Sequence, residues 1–233
     1  MTTEHNLALN PRIKICCIGS LEEAWLAINA GAAALGFVSA VPCGPGVIDD
    51  QLIAEIIMQM PPAIGTFLLT SRQNADGIIA QQHQCRPNTL QLVDQVAIAE
   101  LKKLRRELPG ISLVQVIHVT DEGSIDEARF VASFVDAILL DSGNQRLAIK
   151  ELGGTGRIHD WRISRAIRDA IDKPLFLAGG LNAANVGDAL DAVQPFGIDI
   201  CSGVRSEGQL DGAKLAAFML ASRHAGVATL IPS

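Results

Sequence analysis

No stretch of this chain stays apolar for the ~18–20 residues that a membrane-crossing helix needs, so a membrane partner is not expected. Met1–Asn10 has neither a basic leader nor an apolar stretch, so no secretion signal is expected. Basic residues cluster only at Lys102-Lys103-Leu104-Arg105-Arg106, which reads as the solvated side of a helix. With a net charge of −6, nucleic acid is disfavoured as a partner. The cysteines, at 16, 17, 43, 85 and 201, include no CxxC pair and no histidine at a zinc-like interval, so no metal site is expected. Their odd number and scatter suit reduced thiols in a cytoplasmic protein. Charge is sparse, at 19% of residues against 48% hydrophobic, which excludes disorder and allows a large core.

What is present is organised around Arg12-Ile13-Lys14-Ile15-Cys16-Cys17-Ile18-Gly19. This reads as a short buried strand that breaks at Gly19. Ser20 stands at a helix N-cap, with Glu22 and Glu23 in the first turn, where acids favour the positive helix end. Apolar Ala24, Leu26, Ala27 and Ala30 follow, and Gly31 ends the helix. Ala34–Val38 is the next strand, which completes a βαβ unit. The unit repeats without sequence identity between copies. Further strands are expected at Ala63–Leu69, Thr89–Leu92, Ser112–His118, Ala137–Leu140, Pro174–Ala178 and Gly197–Cys201. Helices are expected from Asp49 or Asp50 to Met58, and over Asn74–Gln82, Val96–Glu107, Asp126–Ser133, Asp160–Ile171, Asn182–Ala192 and Asp211–Ser222. A long loop joins Asp141 to Arg157. Eight alternations in about 210 residues suit an α/β fold of one kind, a closed (β/α)8 TIM barrel, better than an open sheet. The expected barrel occupies residues 12–224, between tails 1–11 and 225–233, with no linker dividing it.

Such barrels place their chemistry at the C-terminal ends of the strands, often with phosphate held by the loops after strands seven and eight. Gly179-Gly180 and Ser202-Gly203 fall in those loops, with Gly153–Gly156 beside them. Glycine there lets backbone N–H groups approach an anion, although ordinary tight turns use it too. Asp141 ends an apolar strand at the barrel mouth, where it is a general-acid candidate or a loop cap. Cys16 is a candidate thiolate base or nucleophile, or a small buried hydrophobe. His118 and His159 can titrate near neutral pH, or pack. Trp161 and Phe37 read as packing residues.

Together these landmarks resemble the phosphoribosylanthranilate isomerase family, (β/α)8 barrels of tryptophan biosynthesis. The matching stretches begin with Lys14-Ile15-Cys16, Gly31-Ala32, Ala34–Val38 and Leu139-Leu140-Asp141-Ser142. They continue with Gly153-Gly154-Thr155-Gly156, Asp160-Trp161, Ala178-Gly179-Gly180-Leu181-Asn182 and Ser202-Gly203-Val204. The resemblance implies an Amadori, aldose–ketose isomerase that converts an N-linked phosphoribosylamine into a 1-amino-1-deoxyketose phosphate without a cofactor. It implies that Cys16 is the base removing the sugar C2 proton and Asp141 the acid protonating the ring oxygen. It also implies that the phosphate rests on Gly154, Gly179, Gly180, Ser202 and Gly203.

The chain departs from the family at the end that holds the aromatic acid. The family's arginine after strand two has no counterpart in Val41–Val47. The family's Gln-Leu-His-Gly is Gln91-Leu92-Val93-Asp94, His118 stands where strand five usually ends in arginine, and Cys17 replaces a glycine. Its Ser-Gly-Val-Glu becomes Ser202-Gly203-Val204-Arg205. Lys14, Gln91, His118, His159 and Arg205 are therefore the candidates for further substrate contacts, the last three as substitute cations. Three readings stay open: the family reaction on anthranilate, the same chemistry on another amine or sugar phosphate, and a non-catalytic barrel that binds a phosphorylated metabolite. The family includes monomers and dimers, so either state is expected.

Overall fold

Each strand of this chain is short, and nearly every strand residue is buried, so no strand can stand alone. A computed structural model describes residues 11–41, 44–143 and 158–224. Its parallel strands are β1 (Arg12–Ile15), β2 (Ala34–Val38), β3 (Gly65–Thr70), β4 (Thr89–Leu92), β5 (Ser112–His118), β6 (Ala137–Asp141), β7 (Leu175–Leu177) and β8 (Gly197–Ile200). They pair in sequence order, and β1 pairs back on β8 with Lys14 opposite Asp199, so the sheet closes into a barrel. The expected α/β barrel is the observed one.

The helices between strands are α1 (Leu21–Ala30), α2 (Asp50–Ile57), α3 (Ala75–Cys85), α4 (Ile98–Glu107), α5 (Gly123–Ala132), α6 (Trp161–Ala170) and α7 (Val186–Val193), with α8 (Gly212–His224) last. Their starts follow from capping chemistry. The Ser20 hydroxyl accepts from the Glu23 amide at 3.2 Å, and the Glu23 carboxylate reaches back to the Gly19 amide at 2.9 Å. Gly31 ends α1 at φ 103°, in the left-handed region that glycine enters without strain. Asp49, Asn74 and Asp160 cap α2, α3 and α6 in the same manner.

Side chains alternate between two buried layers. One layer packs strands against helices and includes Ile13, Ile15, Leu35, Phe37, Ile138, Leu140, Ile198 and Ile200. The other fills the barrel with Cys16, Val38, Phe67, Leu69, Val114, Val116, Leu139 and Phe176. Phe176 lies edge-on to Phe67 and to Phe196, with ring centroids 5.9 and 5.5 Å apart. Alternation puts Lys14 and Cys16 on the interior face of β1, and His118 and Asp141 on the same face of neighbouring β5 and β6.

A feature absent from the sequence reading follows β8. A short 3₁₀ turn (Ser202–Val204) leads into a hairpin of β9 (Arg205–Ser206) and β10 (Gln209–Leu210). Its two-residue turn is Glu207-Gly208, both at positive φ (50° and 81°), the geometry favoured in tight hairpins.

Candidate active site

The C-terminal ends of the strands form one mouth. Cys16 follows β1, 5% exposed, and its amide donates to the Ile200 carbonyl on β8 at 2.8 Å. Asp141 ends β6 directly beside His118 of β5. Its carboxylate accepts from the Ser142 amide at 2.7 Å, and its carbonyl accepts from the Val119 amide at 2.9 Å. Strand ends on opposite sides of a small barrel thus hold a thiol and a half-buried carboxylate facing a common interior.

Beneath Cys16 lies a buried ion pair. The Lys14 ammonium, fully buried, donates to Asp199 Oδ1 at 2.8 Å and lies 5.3 Å from the centre of the Phe67 ring. Burial opposes its charge, but the Asp199 carboxylate and the neighbouring Cys16 thiol more than offset this and hold its pKa above the ordinary lysine value. Gly36 of β2 makes room for this group: a Cβ there would lie 2.8 Å from Lys14 Nζ and 2.9 Å from Cys16 Sγ. Asp199 and Gly36 were not singled out from the sequence. Their signal exists only once β1 is laid between β2 and β8.

Next to this end of β1, the loops after β7 and β8 press together. Gly179 and Gly180 take φ of 87° and 63°. A Cβ on Gly203 would lie 2.1 Å from the Leu181 carbonyl oxygen, so only glycine lets the two loops touch. The amides of Gly179, Gly180, Ser202 and Gly203 donate to no acceptor among the described residues. Adjacent uncommitted amides in glycine turns suit an anion. Ser142 and His159 close this side: a Cβ on Gly179 would meet His159 Nδ1 at 3.0 Å and the Ser142 hydroxyl at 3.1 Å. Gly154, and the rest of Gly153–Gly156, lie outside the described residues.

The remaining candidates have their own partners. His159 Nε2 hydrogen-bonds the Ser164 hydroxyl at 2.8 Å, while its buried Nδ1 has no partner among the described residues. Burial pushes its pKa down to about 4, which leaves it neutral at neutral pH. His118 Nε2 donates to the Val93 carbonyl at 3.0 Å, and its Nδ1 is buried and unpartnered among the described residues. Gln91, 3% exposed, has an unpartnered Oε1. Arg205 is held by a clamp. Its Nη1 and Nη2 donate to the Glu23 carboxylate at 2.9 and 3.1 Å, and Nη2 also donates to the carbonyls of Cys16 and Cys17. The guanidinium thereby ties the β9–β10 hairpin to the end of β1. Among the described residues, no group of three or more His, Cys, Asp or Glu is placed to hold a metal ion.

A (β/α)8 barrel with a thiol after β1, a carboxylate after β6 and a glycine cradle after β7 and β8 is matched by known proteins. The sequence model of the N-(5'-phosphoribosyl)anthranilate (PRA) isomerase family covers residues 13–221. This chain belongs to that family. An N-(5'-phosphoribosyl)anthranilate isomerase of Methanosarcina mazei is 35% identical over 210 residues, covering 89% of this chain and 92% of the relative. The isomerase of Haloferax volcanii is 35% identical over 216 residues, covering 92% and 94%. The crystal structure of the Thermotoga maritima enzyme superposes with a TM-score of 0.79 at 28% identity, covering 92% of this chain and 99% of that one. Another phosphoribosyl anthranilate isomerase was solved in complex with reduced 1-(o-carboxyphenylamino)-1-deoxyribulose 5-phosphate. It matches with a TM-score of 0.77 at 27% identity, over 92% of this chain and 99% of that one. Family members are isomerases that carry out the aldose–ketose, Amadori step of tryptophan biosynthesis, and the chain is an enzyme of this class.

Proposed function

We propose that this chain isomerises N-(5'-phosphoribosyl)anthranilate, with Cys16 as base and Asp141 as acid. The observation that carries this reading is a buried thiol, a half-buried carboxylate and four uncommitted glycine-loop amides around one barrel mouth. Asp141 gives its proton to the furanose ring oxygen, and the ring opens with the C1–N bond becoming an iminium. Cys16 takes the proton from C2, which leaves an enolamine that tautomerises to the aminoketose. No electron leaves the substrate, so no cofactor is called for. The four amides of Gly179, Gly180, Ser202 and Gly203 bind the phosphate, joined in this reading by Gly154. The partner is thus a phosphorylated sugar-amine, met in the cytoplasm, by a chain that acts as a monomer or homodimer.

The deciding experiment is turnover of phosphoribosylanthranilate by purified wild type beside Cys16→Ser, followed as loss of anthranilate-type fluorescence. Turnover in the wild type, abolished by the substitution, supports both substrate and base. A second reading, the same chemistry on another amine, is favoured by the lack of arginine in Val41–Val47. A lost bidentate carboxylate partner would weaken anthranilate binding unless replaced. Wild type that leaves phosphoribosylanthranilate untouched yet turns over another phosphoribosylamine would favour that second reading. A barrel that only binds would show no turnover with any phosphoribosylamine.

A further inference from the structure

The barrel mouth holds more sulfur than this chemistry uses. Cys17 follows Cys16, and its Sγ lies 2.6 Å from Sγ of Cys201, although 184 residues separate them. Non-bonded heavy atoms ordinarily keep about 3.5–4 Å apart, and a disulfide brings sulfurs to about 2.05 Å. The two thiols are therefore already crowded past simple contact. Cys17 sits at φ 64°, in the left-handed region where a side-chain-bearing residue is uncommon, so its thiol is held toward β8 by an unusual backbone turn. Cys17 is 5% exposed, whereas Cys201 is partly exposed and is the thiol an incoming reagent meets first. Cys16 is the residue before Cys17 and is buried with it, so three cysteines gather at the mouth.

We propose that Cys17 and Cys201 form a reversible intramolecular disulfide beside Cys16, with a small-molecule disulfide such as glutathione disulfide as oxidant. The electrostatics order the steps. Hydrogen bonding from Cys17 and the charge of Arg205 hold the Cys201 thiol below the ordinary cysteine range. Hydrogen bonding to Cys16 and Cys201, together with burial, pushes Cys17 up. The Cys201 thiolate attacks one sulfur of glutathione disulfide, which breaks that S–S bond, forms a Cys201–glutathione mixed disulfide and releases a glutathione thiolate. Cys17 then loses its proton to solvent and attacks the Cys201 sulfur, releasing the second glutathione. Two protein thiols are oxidised to one disulfide and one glutathione disulfide is reduced to two thiols. Closure converts the Cys17 thiol next to Cys16 into a disulfide sulfur and draws the ends of β1 and β8 together just ahead of Ser202-Gly203. In so far as Cys16 is the base, as proposed above, oxidation lowers turnover.

The test uses the full chain, equilibrated in glutathione buffers of graded redox potential, alkylated, digested and weighed. A linked peptide pair carrying Cys17 and Cys201, two hydrogens lighter than the free pair and lost on treatment with dithiothreitol, is the expected result. Cys201→Ser should abolish it. Cys17→Gly, a residue at ease at φ 64°, should do the same without disturbing the fold. Absence of the linked pair at every potential overturns the proposal, as does a link through Cys16 with Cys17 left free. Turnover should fall at least tenfold on oxidation, recover on reduction, and resist oxidation in Cys201→Ser. A disulfide that leaves turnover unchanged overturns the switch. A chain inactive on phosphoribosylanthranilate even when reduced refutes the substrate reading alone, because the linked peptide is read by mass.

Discussion

Single side chains at the mouth make separable predictions. Asp141→Asn keeps size and hydrogen bonding but removes the titrating proton, so turnover should fall about 10²–10⁴-fold with little change in phosphate affinity. Unchanged turnover in a steady-state assay would remove Asp141 from the acid role. His159 gives a pH signature. Its folded pKa of about 4 lies below the unfolded 6.5, so the unfolded chain binds more protons between those values. Stability contributed by the neutral ring is present above pH 6.5 and is lost as pH falls toward 4. The unfolding free energy of wild type, from urea titrations, should decline over that window by on the order of 2–3 kcal/mol more than that of His159→Phe. Parallel declines would show that the ring is not held neutral. The positions of Cys16 and Asp141 were legible in the sequence because each stands at the C-terminal end of a readable strand. The engagement of Arg205 was not, since its carboxylate partner lies 182 residues away and its other acceptors are main-chain oxygens.

At the scale of elements, strands β4 and β5 and the cap of α1 were readable because apolar alternation and capping residues are local signals. Helix α7 begins at Val186 rather than Asn182. The amide of Asn182 donates to the Asn185 side chain at 2.8 Å, and Asn182 accepts from the Ala184 amide at 2.8 Å, so side chains hold a turn there instead of a helical first turn. The β9–β10 hairpin escaped because its strands have two residues each, too few for periodicity. Loop packing supplies a sharper test. Gly203→Ala must push the loop after β8 away from Leu181, whose carbonyl oxygen would otherwise sit 2.1 Å from the new methyl. A displaced cradle loses charge-assisted hydrogen bonds, so KM for a phosphorylated substrate should rise about 10–100-fold, more than kcat falls. Equal effects on both constants would argue that the loops serve the fold and not the phosphate.

For the molecule as a whole, closure rests on contacts between the two ends of the chain. Lys14 and Asp199, 185 residues apart, meet inside the barrel where neither has water to fall back on. Lys14→Met strands a buried carboxylate and should destabilise the fold by about 3–5 kcal/mol in urea unfolding. The double variant Lys14→Met with Asp199→Leu should recover most of that loss. A double variant as weak as the single one would show that packing volume, and not charge, governs the site. Gly36→Ala tests the same group from the neighbouring strand, and should cost stability and turnover together because it crowds Lys14 and Cys16 at once.

The pairing of β1 with β8 also has a meaning in time. On the ribosome, Lys14 is made 185 residues before Asp199. At about 5–20 residues per second this is roughly 10–40 s of synthesis. Through that interval the nascent chain carries a lysine that has no counterion to bury against, and a first strand with one edge open to any other chain that offers a match. The ion pair that steadies the finished barrel can thus form only after the last strand has been made.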